Sequence, residues 1–381
     1  MRATTAELST RRGQGSTLHH LYVHIPFCAR ICPYCAFYKE RADPAQTQRF
    51  CDALLRELEM LVSEYEIAAE TIFFGGGTPT ALSTAKLDHL LGGFRRHLDL
   101  SRQTEWTIEA NPGSVSSRKA ALLQQLGVTR VSLGVQSWDD DLLGLLGREH
   151  NSAQAEESFH ILRQAGLTNV NIDLMFGLPG QSLAQWEATL ERTIALRPEH
   201  VSAYCLTYEE DTEFFLRHAR GELQQDDAND ARFFESAIRI LEGSGYRQYE
   251  ISNYALPGYE STHNRGYWSG DDYLGIGPSA FSTVGDTRWQ NVCDYRNYSD
   301  RILKGESIVV STETLSAKTK RAEQIAFGLR TRIGVPVDWL TSWPNECKEF
   351  AELGLLSEEN ERFVLTQKGK LLADSVAEAF V

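Results

Sequence analysis

The sequence predicts an α/β fold: an open, partial (β/α)6-type barrel followed by a small C-terminal α/β module with the order of elements of a winged helix. Three observations predict it. Short β-rich runs alternate with longer amphipathic stretches, polar and glycine residues follow the ends of several strands, and the pattern changes after about residue 311. Repeated strand–helix alternation is typical of a parallel sheet, whose carboxyl edge carries the site. Six or so units fit an open barrel better than a closed eightfold one.

The individual elements follow from local periodicity and from helix-start signals. Asp43 and Pro44 are typical of the N-cap and the first residue of a helix. The predicted strands are 21–25, 71–74, 105–109, 130–133, 170–174 and 201–204, with a further one at 246–251. The predicted helices are 43–66, 84–98, 116–126, 152–165, 183–196 and 228–242. The C-terminal module is predicted to contain a helix at 317–330, short helical pieces at 335–340 and 345–353, a strand at 362–365 and a helix at 367–376.

Composition indicates a globular protein without a nucleic-acid partner or an integral membrane segment. The 381 residues are 42% hydrophobic and 24% charged, with a formal net charge of −14. That charge argues against general binding of nucleic acid or anionic membranes. No apolar run approaches the roughly 18 residues that span a bilayer, and the N-terminal residues lack the apolar core of a secretory signal, so we expect a cytoplasmic protein. The predicted segments are a disordered tail (1–20), a barrel (21–250), an extension that completes the site (251–310) and the C-terminal module (311–381).

Three of the seven cysteines, Cys28, Cys32 and Cys35, form the spacing C-x3-C-x2-C. Three thiolates this close can hold three corners of a [4Fe-4S] cluster, because soft sulfur ligands suit iron, and the fourth iron stays open to a small molecule. Structural zinc needs a fourth ligand, for which His24 is the nearby candidate, although it falls in a predicted strand. A chance group of buried thiols is the other alternative. The spacing favours the cluster.

A glycine-rich turn, Gly75-Gly76-Gly77-Thr78-Pro79, follows the second predicted strand. Glycines let the backbone approach a ligand closely. A plain tight turn and a phosphate cradle are the alternatives. The turn has no Gly-Lys-Ser/Thr ending and no G-x-G-x-x-G pattern, which disfavours the common phosphate and dinucleotide motifs.

Beside the cysteines, this turn resembles the radical S-adenosylmethionine (SAM) family. The runs LYVHIPFCARICPYCAF, FFGGGTPT, EANP, GVQS and NIDLMFGLPGQ are similar to the branch that contains the oxygen-independent coproporphyrinogen III dehydrogenases and the haem chaperones. The resemblance implies that SAM binds the open iron, where one electron from the cluster can cleave it to a 5′-deoxyadenosyl radical. It implies SAM contacts, with Tyr34 near the adenine, from Tyr22, Tyr34, Gly76, Gly77, Thr78, Glu109, Gln136, Arg148 and Asp173. Taken singly, the carboxylates among them could cap helices and the arginine could be a solvated charge.

Two features distinguish the members of this branch. The dehydrogenases carry a further cysteine two residues after the third, where this chain has Phe37, and a longer N-terminal extension than the twenty or so residues before the first predicted strand here. The run from His263 to Trp268 resembles the HNxxYW signature of the haem chaperones, which is associated with haem binding. An imidazole can ligate haem iron, and Tyr267 and Trp268 offer apolar rings to a porphyrin. A hydrogen-bonded histidine with core aromatics is the alternative.

The resemblance therefore implies a haem chaperone that binds a [4Fe-4S] cluster, SAM and haem and transfers haem to an acceptor protein, with no radical turnover required. It implies as partners a haem-accepting protein, a reductant protein such as a flavodoxin or ferredoxin, and a second copy in a homodimer. Three alternatives stay open: a dehydrogenase that oxidatively decarboxylates coproporphyrinogen III propionates, a haem-degrading radical SAM methyltransferase relative, and a non-catalytic cluster protein that recognises a partner through its C-terminal module.

Overall fold

The fold was analysed in a computed structural model that describes residues 17–41 and 43–380. Most of the predicted disordered tail lies outside the described residues, but its last residues belong to a strand, because the first strand begins at Leu18. By their contacts, the described residues form two compact units. The first comprises 17–41, 43–133, 153–168 and 272–314, and the second comprises 134–152, 169–271 and 315–380. The domain boundaries given above stay a prediction.

Seventeen strands are present in the described ranges. In chain order they are β1 (Leu18–Ile25), β2 (Phe27–Cys28), β3 (Glu40–Arg41), β4 (Ile67–Gly76), β5 (Glu105–Ala110), β6 (Arg130–Gln136), β7 (Val170–Phe176), β8 (His200–Cys205), β9 (Arg247–Glu250), β10 (Asn253–Ala255), β11 (Tyr273–Ile276), β12 (Phe281–Val284), β13 (Thr287–Asn291), β14 (Val309–Thr314), β15 (Val335–Pro336), β16 (Leu356–Glu359) and β17 (Arg362–Leu365).

The α-helices of the same ranges alternate with the barrel strands as predicted. They are α1 (Pro44–Glu64), α2 (Thr84–His97), α3 (Ser117–Gln125), α4 (Asp140–Leu145), α5 (Ser152–Gln164), α6 (Leu183–Leu196), α7 (Glu213–Ala219), α8 (Asp227–Gly243), α9 (Thr262–Ser269), α10 (Tyr295–Lys304), α11 (Ala317–Leu329), α12 (Pro344–Glu352), α13 (Gln367–Lys370) and α14 (Ala373–Glu378). Short 3-10 turns lie at Pro79–Ala81 and Val337–Leu340. No described helix combines the length and the apolar character needed to cross a membrane.

In the first unit, β1 lies in the middle of a mixed sheet. It pairs in parallel with β4 on one side and with β11 on the other, and β5 and β6 continue the parallel series beyond β4. Beyond β11 the sheet is antiparallel through β12, β13 and β14. Asp43 caps α1 by accepting from the Ala45 amide at 2.9 Å, as predicted. Phe74 of β4 packs between Phe94 of α2 and Trp106 of β5.

In the second unit, β7 and β8 are parallel, whereas β10 and β9 continue from β8 in antiparallel fashion. The predicted strand at 246–251 therefore exists as β9 but does not extend the parallel series. The C-terminal module has a three-stranded antiparallel sheet in the order β15-β17-β16 over a core that includes Ile325, Leu340 and Phe380.

The C-terminal module differs from its prediction in three places. The segment predicted as helical at 335–340 starts with β15, and the helix predicted at 367–376 is divided into α13 and α14. The sequence analysis also missed β16, because three of its four residues are polar. Its hairpin turn is formed by Asn360 and Glu361, both with positive φ, which is typical of a tight two-residue turn.

Candidate functional site

The three predicted cluster ligands lie on one loop of the first unit. Cys28 ends β2, which pairs in parallel with β3, so both ends of the loop are fixed. Cys32 and Cys35 lie in a turn closed by a hydrogen bond from the Cys35 amide to the Cys32 carbonyl at 3.3 Å. All three side chains are half-buried, as is Tyr34 between them, whereas Phe37 is 68% exposed.

This donor set fits an iron–sulfur cluster. Within 17–41 and 43–380, no three His, Cys, Asp or Glu side chains are grouped so as to hold one metal ion. A [4Fe-4S] cluster binds each thiolate through a different iron, so it requires no such convergence. The loop supplies three soft sulfur ligands and contains no carboxylate between Cys28 and Cys35.

Thr78 connects the glycine turn to the cysteine loop. Its amide donates to the Phe27 carbonyl at 2.7 Å, and its hydroxyl oxygen lies 3.6 Å from Sγ of Cys28. The Asn111 side-chain amide donates to the same hydroxyl oxygen at 2.8 Å. Because that oxygen accepts from Asn111, its own hydrogen is available to the sulfur. The sequence analysis quoted the EANP run without giving Asn111 a role, and that run was the signal that could have found it.

The glycines of the turn are required by the protein's own packing. Gly76 has φ +105° and donates its amide to Oε2 of Glu109 at 3.1 Å. A Cβ at Gly77 would lie 2.7 Å from the carbonyl carbon of Pro26. Packing alone therefore requires glycine at both positions. The SAM contacts that the family resemblance implies would be a second role for the same residues.

His24 joins three parts of this region. Its Nδ1 accepts from the Tyr22 hydroxyl at 3.0 Å, and its Nε2 donates to the Tyr38 carbonyl, just beyond the cysteine loop, at 3.0 Å. Burial lowers the pKa of His24, so the imidazole is neutral, while burial and then the charge of Glu109 raise the pKa of Tyr22. The sequence analysis weighed His24 only as a zinc ligand. Its position two residues after Tyr22, on the same face of β1, is the signal that was missed.

In the second unit, two predicted SAM contacts lie around the end of β6. Gln136 ends the strand with φ +70°, a left-handed conformation that is uncommon for a side chain of its type. The Arg148 guanidinium donates to the Gly134 carbonyl at 2.7 Å. Burial and the charge of Arg148 lower the pKa of His150 to about 4, and its Nε2 donates to the Val135 carbonyl at 3.1 Å. Arg148 is therefore held against the backbone of β6 and is not a solvated surface charge.

The predicted haem residues lie on α9, also in the second unit. His263 and Tyr267 are one turn apart, and Tyr267 is 43% exposed. The rings of Tyr267 and Trp268 lie 5.4 and 5.7 Å from that of Phe327 on α11, and the Arg330 guanidinium lies 5.4 Å from the Trp268 ring. Both rings thus contact the C-terminal module, and Tyr267 also remains exposed. The role of the two rings toward haem stays a prediction.

Comparison with known proteins identifies the family. Residues 22–193 match the model of the radical SAM superfamily. The chain is 36% identical over 374 residues to the haem chaperone HemW of Bacillus subtilis, which covers 94% of this chain and 98% of that protein. It is 34% identical over 371 residues to the haem chaperone HemW of Escherichia coli, covering 95% and 97%. The chain belongs to the HemW family of radical SAM proteins.

Among solved structures, coproporphyrinogen III oxidase (HemN) from Escherichia coli, described as a radical SAM enzyme, matches the HemW-family fold. The TM-score is 0.84 at 23% identity, over 100% of this chain and 93% of HemN. At this identity the match shows the fold. The predicted fold class, a partial (β/α)6-type radical SAM barrel with a small C-terminal module, is confirmed, and so is the predicted family.

Proposed function

We propose that this HemW-family protein is a haem chaperone, which binds a [4Fe-4S] cluster through Cys28, Cys32 and Cys35, binds SAM and haem, and transfers haem to an acceptor protein. The observation that carries the proposal is the arrangement on α9: His263 lies one turn from an exposed Tyr267, so an imidazole and a phenol ring share one helix face. The relatives named haem chaperones match nearly the whole chain, α9 included.

The remaining site residues would serve the cofactors. The cluster supplies an electron and an open iron when bound. The family resemblance assigns SAM binding to Tyr22, Tyr34, Gly76, Gly77, Thr78, Glu109, Gln136, Arg148 and Asp173, with Tyr34 near the adenine. Clustered thiols persist as thiols in a reducing compartment, which supports the cytoplasm as the location. An acceptor, a reductant protein and a second copy of the chain complete the proposed set of partners.

The test is an anaerobic reconstitution of the full chain with iron and sulfide, followed by addition of haem, or of SAM, a reductant and coproporphyrinogen III. We expect a cluster absorbance, a haem Soret band, and no protoporphyrinogen. Replacing Cys28, Cys32 and Cys35 together by Ser should abolish the cluster, whereas Cys293→Ser, at an exposed cysteine that is not part of the C-x3-C-x2-C motif, should leave it unchanged. Many turnovers to protoporphyrinogen would refute the chaperone proposal and identify a dehydrogenase, despite the exposed Phe37 where dehydrogenases have a cysteine.

A further inference from the structure

A chain of buried hydrogen bonds in the second unit ends at Asp173. The Tyr249 hydroxyl on β9 lies 2.8 Å from Nε2 of His200 on β8. Nδ1 of the same imidazole lies 2.7 Å from Oδ1 of Asn171 on β7, and Nδ2 of Asn171 donates to Oδ1 of Asp173 at 2.6 Å. His200 is fully buried, and Asn171 and Tyr249 are nearly so. The proposed function gives a role to Asp173 but to none of the other three.

The carboxylate determines the direction of every bond in this chain. An ionised carboxylate only accepts, so the amide nitrogen of Asn171 must face Asp173 and its amide oxygen must face His200. The oxygen accepts, so the hydrogen of His200 resides on Nδ1, and Nε2 must then accept from the Tyr249 hydroxyl. The second amide hydrogen of Asn171 goes to Oγ of Ser202 at 2.9 Å, so the amide orientation satisfies its neighbours on both sides.

The chain in turn restricts the carboxylate. Rotating Asn171 by half a turn would place its oxygen against Oδ1 of Asp173, and two acceptors in contact at a buried site are costly. Asn171 and Asp173 are two residues apart, so they share a face of β7, and Asp173 is nearer the carboxyl end of that strand. In a parallel sheet the carboxyl ends of the strands bear the ligand site.

We propose that Tyr249, His200 and Asn171 are positioning residues. They hold the Asp173 carboxylate in one orientation, in which it accepts hydrogen bonds from the hydroxyl groups of a ribose. The inference rests on the proposed function only in taking SAM as the source of that ribose. Fixing the carboxylate before the ligand arrives reduces the entropy lost on binding.

The chain offers a matched pair of tyrosines to test this. Tyr249→Phe removes the hydroxyl at which this series of hydrogen bonds begins. Tyr246→Phe removes another buried hydroxyl of the second unit. This hydroxyl donates to the Pro198 carbonyl at 2.6 Å and lies outside the series of hydrogen bonds that ends at Asp173. Calorimetric titration of cluster-loaded protein with SAM should show an affinity about two- to tenfold lower for Tyr249→Phe and within about twofold of wild type for Tyr246→Phe.

A double variant separates positioning from general loosening. In an Asp173→Ala background, Tyr249→Phe should cause no further loss of SAM affinity, because the carboxylate through which it acts is gone. Equal losses in the two tyrosine variants, or a Tyr249→Phe effect that persists without Asp173, would overturn the proposal.

A second measurement needs no SAM. This measurement is a 15N nuclear magnetic resonance spectrum of the full-length protein with 15N-labelled histidine and an oxidised cluster. The His200 signals are assigned as those that disappear in His200→Gln. Wild type should show the Nδ1–H tautomer, and Asp173→Asn should allow the Nε2–H tautomer to appear. An Nε2–H tautomer in wild type would overturn the chain of bonds described. Wild-type protein that takes up the cluster but does not bind SAM would instead refute the proposed function, and the tautomer would still decide the inference.

Discussion

The imidazole of His24 on β1 occupies the space that a side chain at Gly76 on β4 would need, because a Cβ at position 76 would lie 2.4 Å from Cε1 of His24. The ring cannot move aside without losing its hydrogen bonds to Tyr22 and to the Tyr38 carbonyl. A side chain at position 76 would therefore disturb both the glycine turn and the segment after the cysteine loop.

Gly76→Ala should reduce both stability and SAM affinity. The added methyl overpacks against His24, and φ +105° is unfavourable for alanine, so we expect a loss of about 3 kcal/mol in the free energy of unfolding. SAM affinity should fall at least about tenfold. Denaturant unfolding and SAM titration check this. Gly144→Ala is the matched control, because no atom lies within 4 Å of its added Cβ and it lies in helix α4, where alanine should stabilise by about 0.5–1 kcal/mol. Similar behaviour of the two variants would refute the packing account.

Thr78→Val should make the reduction potential of the cluster more negative. Valine keeps the shape of threonine but removes the hydroxyl that lies 3.6 Å from Sγ of Cys28, and hydrogen bonds to the sulfurs raise the potential by stabilising the more negative reduced cluster. A redox titration followed by electron paramagnetic resonance measures the shift. Thr80→Val is the control, since its hydroxyl bonds to Ser114 and not to a ligand cysteine. An unchanged potential in Thr78→Val would show that the hydroxyl does not donate to the thiolate.

The stability contributed by Glu57 should decrease as pH rises from about 4.5 to about 7. Burial raises the pKa of this fully buried carboxyl to about 7, even though it accepts from the Gly277 amide and from the side chains of Asn291 and Tyr298. The folded state therefore binds the proton more tightly than the unfolded state, whose carboxyl has its ordinary pKa near 4.5. The contribution of Glu57 to the free energy of unfolding therefore falls between about pH 4.5 and 7.

Comparison with Glu57→Gln isolates this effect. The difference in unfolding free energy between wild type and the variant should shift by on the order of 3 kcal/mol against wild type from pH 5 to pH 8. Chemical denaturation at several pH values measures it. Glu306→Gln, at an exposed glutamate just after α10, should leave the pH profile of wild type unchanged. A parallel profile for wild type and Glu57→Gln would contradict the prediction.

His263→Ala and Trp268→Ala should separate haem binding from folding. His263→Ala should lower the haem affinity of the folded protein at least about tenfold, because it removes the proposed imidazole ligand. Trp268→Ala should lower stability by about 1–2 kcal/mol, because it removes contacts with Phe327 on α11 and with Arg330, which follows that helix. Haem titration by the Soret band and denaturant unfolding check both. His160→Ala, at an exposed histidine of α5, is the control for non-specific haem binding. Unchanged haem affinity in folded His263→Ala would assign any axial ligand to another residue.

The sequence predicted the regular part of the fold well, because local patterns carry it. The helix at 183–196 has the predicted bounds, and α1 begins after the predicted cap at Asp43. The strands β11 to β14 were not assigned. From β11 to β14, each strand pairs with the next in antiparallel fashion. The last of them, β14, is almost fully exposed, so its sequence shows no alternation of apolar and polar residues.

The sequence by itself determined the family, the cysteine loop and the glycine turn, because their chemistry depends on residue types at short spacings. Only the tertiary structure decided what those residues contact. It placed His24 between Tyr22, Gly76 and Tyr38, set Trp268 against the C-terminal module, and joined Tyr249 to Asp173 through two intermediate side chains. Tyr249 and Asp173 lie 76 positions apart in the numbering of the chain. Partners at such separations are brought together by strand pairing and packing, which no local spacing records.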